Sequence, residues 1–305
     1  MITHPTVRTR CIVCVLSFCL LTVVLPAAEF ADGTGEPDNP YQIATAEQLC
    51  SIGSDPDLLD KHFVLIADID LDAGLPGGKV FNEAVIAPDA DPATDGFQSA
   101  AFSGVFDGND HAISNLTIQG AGYLGLFGQN SGAVRNVSIV DADIAGSSNY
   151  VGVLVGANLG FVSECRSGGT VTGGSCVGGL AGENDGGRMV RCCTDAAVAG
   201  TGNSVGGLVG NNDGGRIAVS YSTGAVSGDG HVGGVVGRNY EGIVSCCYSL
   251  GAIRGGMHIG GLIGQNWTGY VTHCYSAGAV TGESTFGGLL GSNVDAGRSP
   301  GAVIG

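Results

Sequence analysis

The stretch VGGLVGNN, residues 205–212, decides the fold because close variants of it recur along the chain. The variants are LGLFGQN (124–130), VGVLVGAN (151–158), VGGLAGEN (177–184), VGGVVGRN (232–239), IGGLIGQN (259–266) and FGGLLGSN (286–293). The final asparagines of consecutive copies are separated by 28, 26, 28, 27, 27 and 27 residues. A nearly constant period of this length is typical of repeat proteins, in which each repeat stacks on the next.

The composition of the repeats favours strands over helices. Val, Ile, Thr, Ser and Tyr are frequent, several glycines interrupt each repeat, and Gly accounts for 56 of the 305 residues. Short β-branched runs separated by glycine are typical of strands and turns. We therefore predict an all-β chain that forms a parallel β-helix with about seven coils of roughly 27 residues. Each coil should add about 4.8 Å along the axis.

The positions of the repeat fall into columns with different expected roles. Two columns of apolar residues should point into the coil, and the column of final asparagines should form an internal ladder. A glycine column should mark a corner with a positive φ or a tight bend, and a column of varied residues should point outward. The apolar columns are Val171, Val198, Val226, Ile253, Val280 and Val162, Met189, Ile217, Val244, Val271; the glycines are Gly173, Gly200, Gly228, Gly255, Gly282; the varied residues are Glu164, Arg191, Val219, Cys246, His273.

Four cysteines share one repeat column. They are Cys165, Cys192, Cys247 and Cys274, and Ser220 takes the same position in the remaining coil. C-x-x-C pairs do not recur, so the spacing typical of zinc sites is absent. We expect inward-pointing free thiols that pack as small hydrophobic groups. Disulfides between neighbouring coils are the alternative in an exported protein.

His231 and His258 are 27 residues apart and should stack on neighbouring coils. Two imidazoles at that distance could share a metal ion. The adjacent coils, however, offer Ser204 and Thr285, which are poor ligands. We therefore expect two exposed turn residues rather than a metal site.

Acidic residues before the repeats give a second candidate for cation binding. Asp68, Asp70 and Asp72 alternate with apolar residues, which places the three carboxylates on one face of a strand. The loop DADPATDG, residues 89–96, also contains several carboxylates. Calcium binding is conceivable at both places, but neither matches the EF-hand loop. A solvated strand face and an ordinary polar loop are the preferred interpretation, so no cofactor is predicted.

Residues 1–28 have the features of a secretory signal peptide. Arg8 and Arg10 precede a run of apolar residues with Ser and Thr from Cys11 to Leu25, and Pro26-Ala27-Ala28 offers a cleavage site. A retained N-terminal anchor is the alternative. No later segment is long and apolar enough to span a membrane. We predict a chain that is secreted or held at the cell surface.

Charge and motif content exclude several function classes. The formal net charge is −16, and residues 29–100 carry 15 acidic residues against two lysines. Nucleic acid is therefore not an expected partner, because phosphate binding requires positive charge. The chain contains no H-E-x-x-H, G-x-S-x-G or P-loop motif. Carboxylates do not cluster in the repeats as polysaccharide hydrolysis requires, so we predict that the chain is not an enzyme.

The G-L-x-G quartets resemble the GLUG motif. They occupy residues 125–128, 179–182, 207–210, 261–264 and 288–291, and the segment CYSAGAV at 274–280 is also similar to that family. The quartets at 153–156 and 234–237 depart from the motif without altering the spacing. The resemblance implies a right-handed parallel β-helix displayed outside the cell, often in adhesin-like bacterial surface proteins. Some relatives carry an immunoglobulin-cleaving metallopeptidase, whose zinc motif is absent here.

The region before the repeats is similar to the opening turns of GLUG-containing exported bacterial proteins. Thr45 to Leu49 should begin a short capped helix, residues 63–71 (FVLIADIDL) should form a strand, and residues 102–118 should form two strands around an Asp-Gly-Asn turn. The predicted organisation is a signal peptide at 1–28, a cap and first turns at 29–119, the repeat solenoid at 120–293, and an incomplete repeat or truncated end at 294–305.

We expect a non-enzymatic protein with an adhesin-like or scaffold role, because stacked repeats present an extended surface. A carbohydrate-binding or polysaccharide-acting β-helix is the alternative, and a structural fragment of a larger exported protein is a third possibility. Tyr221, Tyr248 and Tyr275 form an aromatic column beside the cysteines and are the candidate binding residues. They could instead pack on one another as a stabilising ladder. The expected partner is an extracellular protein or a glycan.

Overall fold

The computed structural model describes residues 29–294 and the backbone of Val303–Ile304. The predicted signal peptide lies outside the described residues, as does most of the predicted incomplete repeat. Within the described part, no helix has the length and apolar character needed to cross a membrane.

The described chain winds into a parallel β-solenoid with three sheets. Sheet 1 consists of Tyr41–Ile43, His62–Leu65, Val105–Asp107, Ala133–Arg135, Phe161–Ser163, Arg188–Val190, Arg216–Ala218, Ile243–Ser245, Tyr270–Thr272 and Val303–Ile304. Sheet 2 consists of Phe127–Asn130, Val155–Asn158, Ala181–Asp185, Val209–Asp213, Val236–Tyr240, Ile263–Trp267 and Leu290–Val294. Sheet 3 consists of Ile69–Asp70, Ala112–Ser114, Thr117–Gly120, Ser138–Gly146, Arg166–Gly173, Val177–Gly178, Cys193–Thr194, Ala197–Gly200, Asn203–Gly206, Tyr221–Ser222, Val226–Gly233, Tyr248–Ser249, Ile253–Gly260, Tyr275–Ser276 and Val280–Gly287.

The prediction of an all-β parallel solenoid with about seven turns is confirmed. Sheet 2 contains seven strands, one for each copy of the motif, and each strand pairs in parallel with the strand of the next coil. The strands of sheet 1 run without interruption from the opening turns into the repeats, since Val105–Asp107 pairs with Ala133–Arg135. The proposed division between residues 119 and 120 therefore stays a prediction.

The apolar columns point inward as expected. Members of the first column such as Val171 and Val226, and members of the second such as Met189 and Ile217, are almost completely buried. Like residues stack on like residues because the pairing keeps the register from coil to coil. The core is therefore a continuous set of apolar stacks along the axis.

The asparagine column forms the predicted internal ladder. Each side-chain amide donates from Nδ2 to Oδ1 of the next asparagine at 2.7–2.8 Å, as in Asn184 to Asn212 and Asn212 to Asn239. The second amide proton is used as well, because Asn212 Nδ2 also donates to the carbonyl of Gly215 at 3.1 Å. Asn212 is fully buried. Buried polar groups are tolerated when they are hydrogen-bonded in this way.

The glycines of the motif are required by close approach of backbones. A Cβ atom at Gly237 would overlap the backbone of Ser204 and Val205, where the corner of the preceding coil lies over sheet 2. A Cβ atom at Gly261 would overlap the carbonyl oxygen of Gly288 and lie 2.5 Å from Ser276 Oγ. Only glycine fits positions at which two backbones come this close.

The prediction of a corner at the glycine column that contains Gly228 is wrong. Gly228 and its counterparts lie within strands and do not have positive φ. A Cβ atom at Gly228 would lie 2.8 Å from Val205 Cγ2 and 3.1 Å from Val232 Cγ2. Glycine is therefore needed at these positions, because inward-pointing valines fill the space beside them. The corner with positive φ is instead at the varied column, whose outward orientation is confirmed: Glu164 (56°), Arg191 (55°), Val219 (53°), Cys246 (53°) and His273 (52°).

The opening turns contain the predicted helix, Ala46–Ser54, with Thr45 as its N-cap. Thr45 Oγ1 accepts from the amide of Gln48, and the Gln48 side chain accepts from the amide of Thr45, which completes a capping box. A 3-10 helix, Pro56–Leu58, follows. The expected single strand at 63–71 is wrong, because the chain turns between its two halves. His62–Leu65 belongs to sheet 1 and Ile69–Asp70 to sheet 3.

The segment 102–118 follows the predicted order of strand, turn and strand. Val105–Asp107 and Ala112–Ser114 lie in different sheets, so the Asp-Gly-Asn turn is a corner of the coil. Before it, residues 88–101 leave sheet 2 between two parallel bridges, Ile86 to Phe127 and Phe102 to Asn130. This segment is an insertion into an otherwise regular coil.

Candidate binding faces

The three tyrosines predicted as a binding column lie together on the outside of sheet 3. They are in register on neighbouring strands, so their rings stack at centroid distances of 4.7 Å for Tyr221–Tyr248 and 5.1 Å for Tyr248–Tyr275. Both pairs are parallel within 5°. We call these three residues the tyrosine ladder. Tyr221 and Tyr248 are half-buried, whereas Tyr275 is 54% exposed.

The stacking determines which surfaces of the tyrosine ladder are accessible. Because the rings cover one another, Tyr248 presents its edge and hydroxyl group rather than its face. The column continues below Tyr221 as Cys193 and Arg166, which pair in register with it. A hydrogen bond to Cys193 raises the pKa of the Tyr221 hydroxyl. The ladder is thus a row of hydroxyl groups that ends in the exposed ring of Tyr275.

The cysteine column points inward, as predicted. Cys165, Cys192 and Cys247 are each 1% exposed, and the eight cysteines of the described chain are free thiols. Cys165 Sγ donates to the carbonyl of Ser163 at 3.2 Å, and Ser220 Oγ makes the equivalent bond to Ala218 at 2.8 Å. Serine therefore replaces cysteine without loss of the local hydrogen bond. Burial raises the pKa of Cys192 to about 12, which disfavours the reactive thiolate.

His231 and His258 stack at a centroid distance of 5.3 Å, and both lie at a corner with positive φ. The expectation that they are exposed is wrong, because this corner folds against the outer face of sheet 2, where Gly264 meets the backbone of His231. Both imidazoles are half-buried, and their Nδ1 atoms have no hydrogen-bond partner. Burial, followed by His258 and Arg238, lowers the pKa of His231 to about 4. Among the described residues, no group of three or more His, Cys, Asp or Glu side chains could hold a metal ion.

The three aspartates of the opening turns face outward, with Ile69 and Leu71 buried between them. The carboxylates of Asp68 and Asp70 join successive turns of the chain. Asp68 Oδ1 accepts from the Ala112 amide at 2.9 Å, and Asp70 Oδ1 accepts from Asn115 Nδ2 at 2.8 Å. These hydrogen bonds lower the pKa of both carboxyl groups. The third carboxylate, Asp72, accepts from the amide of Gly74 at 2.7 Å.

The other candidate for calcium, the loop 89–96, also uses its carboxylates locally. Asp89 is buried, and its Oδ1 accepts from the amide of Gln98 at 2.9 Å. Asp91 Oδ2 accepts from Thr94 Oγ1 at 2.6 Å. The loop packs on the solenoid through Phe97, whose ring contacts Tyr123 edge to face at 5.3 Å. The structure therefore places these carboxylates in turn-stabilising hydrogen bonds.

A second outward column, on sheet 1, was not singled out from the sequence. It consists of Phe161, Arg188, Arg216, Ile243 and Tyr270, which pair in register on five consecutive strands. All five are exposed. We call this column the arginine stripe. Each member directly precedes a residue of the inward Val162 column, so alignment of the repeats at that column contained the signal.

Three comparisons relate the chain to known proteins. Residues 255–281 match the family model described as the GLUG motif, which confirms the predicted repeat type there. Over 161 residues, 50% of this chain, the sequence is 34% identical to halomucin from Haloquadratum walsbyi. The matched stretch spans 2% of the length of halomucin. The fold is similar to the crystal structure of a candidate immunoglobulin A1 protease from Bacteroides ovatus, with a TM-score of 0.67, 22% identity, and coverage of 91% of this chain and 86% of that one.

Proposed function

We propose that this chain is a non-enzymatic adhesive or scaffolding solenoid that acts at a cell surface or outside the cell. The similarity to halomucin supports this location, although the two proteins share only a small part of the longer chain. A signal peptide at residues 1–28 would direct the export. The partner would be an extracellular protein or a glycan.

The observation that carries the proposal is the contrast between inward and outward columns. Inside the coil, asparagine stacks on asparagine and valine on valine or isoleucine, which holds the register. Outside, one column changes from Glu164 through Arg191 and Val219 to His273. Repeat proteins that bind partners combine a uniform frame with a varied, extended surface in this way.

Two observations support a non-enzymatic role. Burial raises the pKa of Cys192 and keeps the thiol protonated, so this cysteine is a poor nucleophile, whereas a hydrogen bond from Cys247 lowers the pKa of Cys274 to about 7. Asp68 and Asp70 are engaged in hydrogen bonds that keep them ionised, which does not suit a general acid. The similarity to the Bacteroides protein concerns the fold and brings no activity to this chain.

The tyrosine ladder favours glycan binding as the second candidate function. Its hydroxyl groups form a row along the axis, and the exposed ring of Tyr275 can pack against an apolar sugar face. The structure also supports a purely stabilising role, because the ring faces of Tyr221 and Tyr248 cover one another. Binding measurements on ladder variants separate these two roles.

The experiment is a glycan-array screen of the secreted chain with two triple variants. Replacing Tyr221, Tyr248 and Tyr275 by alanine removes rings and hydroxyl groups, whereas replacement by phenylalanine keeps the stack and removes only the hydroxyl groups. Glycan binding through the ladder predicts loss of signal in the alanine variant with an unchanged β-rich circular dichroism spectrum. Unchanged binding in the alanine variant would contradict this role for the ladder.

The same glycans test the non-enzymatic role. The chain should leave array glycans and soluble polysaccharides unmodified after long incubation, as measured by release of reducing ends. Release of reducing ends by the purified chain would contradict the proposal. If the chain binds neither a glycan nor any protein of the cell envelope in pull-downs, the adhesive role is wrong as well.

A further inference from the structure

The arginine stripe runs along the axis on the outer face of sheet 1. Arg188 and Arg216 occupy its centre and pair directly with each other on neighbouring strands. Parallel strands are about 4.8 Å apart, so the two side chains start from adjacent positions on the same outer face. Phe161 lies one strand below, and its ring centroid is 5.8 Å from Arg188 Cζ. Ile243 and Tyr270 lie one and two strands above Arg216.

The two arginines lack the ion pairs that three other arginines of the described chain make. Arg135, Arg166 and Arg191 each bind a carboxylate at 2.6–2.8 Å. Within the described chain, neither Arg188 nor Arg216 has a carboxylate oxygen within 4.0 Å of its guanidinium. Like charges placed directly opposite each other on neighbouring strands destabilise a sheet. What distinguishes Arg188 and Arg216 is that they are adjacent, so binding of an anion between them would offset their mutual repulsion.

The neighbours of the pair are apolar. Phe161 is 38% exposed, Ile243 38% and Tyr270 45%, so exposed apolar side chains lie on both sides of the two charges. Single exposed apolar residues are ordinary, but a row of them in register with a charged pair is a typical composition for a binding site. The stripe from Phe161 to Tyr270 covers four strand spacings, about 19 Å.

We propose that the arginine stripe binds an acidic saccharide, with a carboxylate or sulfate group between Arg188 and Arg216 and sugar rings against the apolar flanks. Guanidinium groups recognise planar anions through paired, charge-assisted hydrogen bonds. Sugar rings have apolar faces that can pack on Phe161 and Tyr270. This site is separate from the tyrosine ladder on sheet 3 and does not depend on it.

The charge of the chain selects among acidic ligands. Two arginines face an overall excess of negative charge, so a polymer with an anion on every unit would be repelled by the rest of the surface. A saccharide with isolated acidic groups among neutral sugars avoids that repulsion. A peptide that joins the sheet as an added strand is excluded, because such peptides bind at an open edge. The strands under the stripe already pair on both sides.

The test measures binding of the full chain to matched oligosaccharides by calorimetry. The ligands are a uronic-acid-containing oligosaccharide, its carboxyl-reduced neutral counterpart, a sulfated oligosaccharide of the same length, and a glutamate-rich peptide. The variants are Arg188→Gln/Arg216→Gln and, as a control on sheet 3, Arg254→Gln. The triple alanine variant of the tyrosine ladder is measured alongside them.

We expect the chain to bind an acidic oligosaccharide at least about tenfold more tightly than the neutral one, because hydrogen bonds to charged groups are the strongest available there. The double variant should lose that preference, and the affinity of the wild type should fall as salt is raised. The Arg254→Gln variant and the ladder variant should bind within about twofold of the wild type. Comparing the uronic and sulfated ligands identifies the preferred anion.

Three results would overturn the proposal. They are the absence of any preference for acidic over neutral oligosaccharides, a preference that survives in the double variant, and tighter binding of a glutamate-rich peptide at the same residues. The last result would assign the stripe to a protein partner. The test of the arginine stripe does not depend on glycan binding by the tyrosine ladder, since the ladder variant is expected to bind the acidic ligand normally.

Discussion

The opening turns, residues 29–119, and the repeats, residues 120–293, share one set of sheets but are stabilised by different interactions. In the opening turns, large aromatic side chains fill the coil, and the Phe63 and Phe102 rings lie 6.3 Å apart. In the repeats, valine, isoleucine and leucine fill the coil. An asparagine ladder runs along the axis from coil to coil, with hydrogen bonds such as that from Asn184 to Asn212. The same architecture is thus reached once by packing of individual side chains and once by a periodic hydrogen-bonded ladder.

The difference shows which contacts determine the fold in each region. A repeat needs only its own columns and those of its neighbours, because every coil reuses the same contacts. The opening turns depend on contacts made once, such as the capping box at Thr45 and the insertion 88–101. Substitutions should therefore have local, column-dependent effects in the repeats and larger effects at unique positions in the opening turns.

The largest effect is expected from Phe106→Ala in the opening turns. Phe106 is fully buried and its ring meets that of Phe127 at 5.4 Å. Removing a buried phenyl ring leaves a cavity and lowers the free energy of unfolding by about 4 kcal/mol. Phe286 is 62% exposed in the last coil, so Phe286→Ala is the matched control. It should lower the free energy of unfolding by less than about 1 kcal/mol. Equal losses in urea unfolding would show that the aromatic core does not stabilise the opening turns.

Within the repeats, a motif glycine should be sensitive only where another coil covers it. Gly261→Ala places a methyl group against the Gly288 carbonyl and Ser276 Oγ, and overpacking of this kind destabilises by about 2–3 kcal/mol. The equivalent Gly288→Ala should be nearly neutral, because no atom of the described residues lies within 4 Å of its Cβ position. Thermal unfolding of both variants measures the difference. A similar change in both variants would contradict the close-approach explanation of the motif.

Asn212→Ala should interrupt the ladder in its middle. The substitution removes the bonds to Asn184 and Asn239 and leaves the Asn239 Oδ1 acceptor buried without a donor, which lowers stability by about 2 kcal/mol. Asn293→Ala, at the exposed end of the ladder, should cost less than about 1 kcal/mol because water can replace the lost bond. Chemical denaturation of the two variants tests the ladder directly. Indistinguishable midpoints would mean that the ladder contributes little.

The smallest effect is a pH dependence from His231. Its pKa is lowered from 6.5 to about 4 in the folded chain, so the unfolded chain binds the proton first as the pH falls. The free energy of unfolding should therefore decrease as the pH falls from 6.5 to 4. Solvent screens the half-buried imidazole, which reduces the contribution of this residue to about 1 kcal/mol. His231→Gln should have a flatter stability profile across this interval, and an unchanged slope would exclude His231 as the cause.

The repeats could be predicted from the sequence in more detail than the opening turns. Periodicity reveals which positions share a column, so the inward valines, the asparagine ladder and the outward varied column were all predictable. It does not reveal φ, and glycine is compatible with both a corner and a tight inward contact. For that reason the sequence predicts a corner at the Gly228 column, whereas the structure has the corner at Val219.

The candidate sites were predictable to a different degree. The tyrosine ladder followed from the 27-residue spacing of its members, because register alone brings their rings together. The arginine stripe was missed, since its five members differ in type and no single residue repeats along it. The burial of His231 could not be foreseen, because it depends on how the corner folds against sheet 2. Features that depend on contact between columns require the structure.

The central claim is that a rigid, ladder-held frame presents the outward columns in fixed register, and amide hydrogen exchange of the full chain tests it most directly. Exchange is slow where backbone hydrogen bonds open only with a cooperative unit of structure. The strands from Val155–Asn158 to Ile263–Trp267 should exchange slowly and as a group, whereas the insertion 88–101 exchanges fast. Exchange in those strands as fast as in the insertion would contradict the claim, since outward side chains on such a mobile frame would not form fixed binding faces.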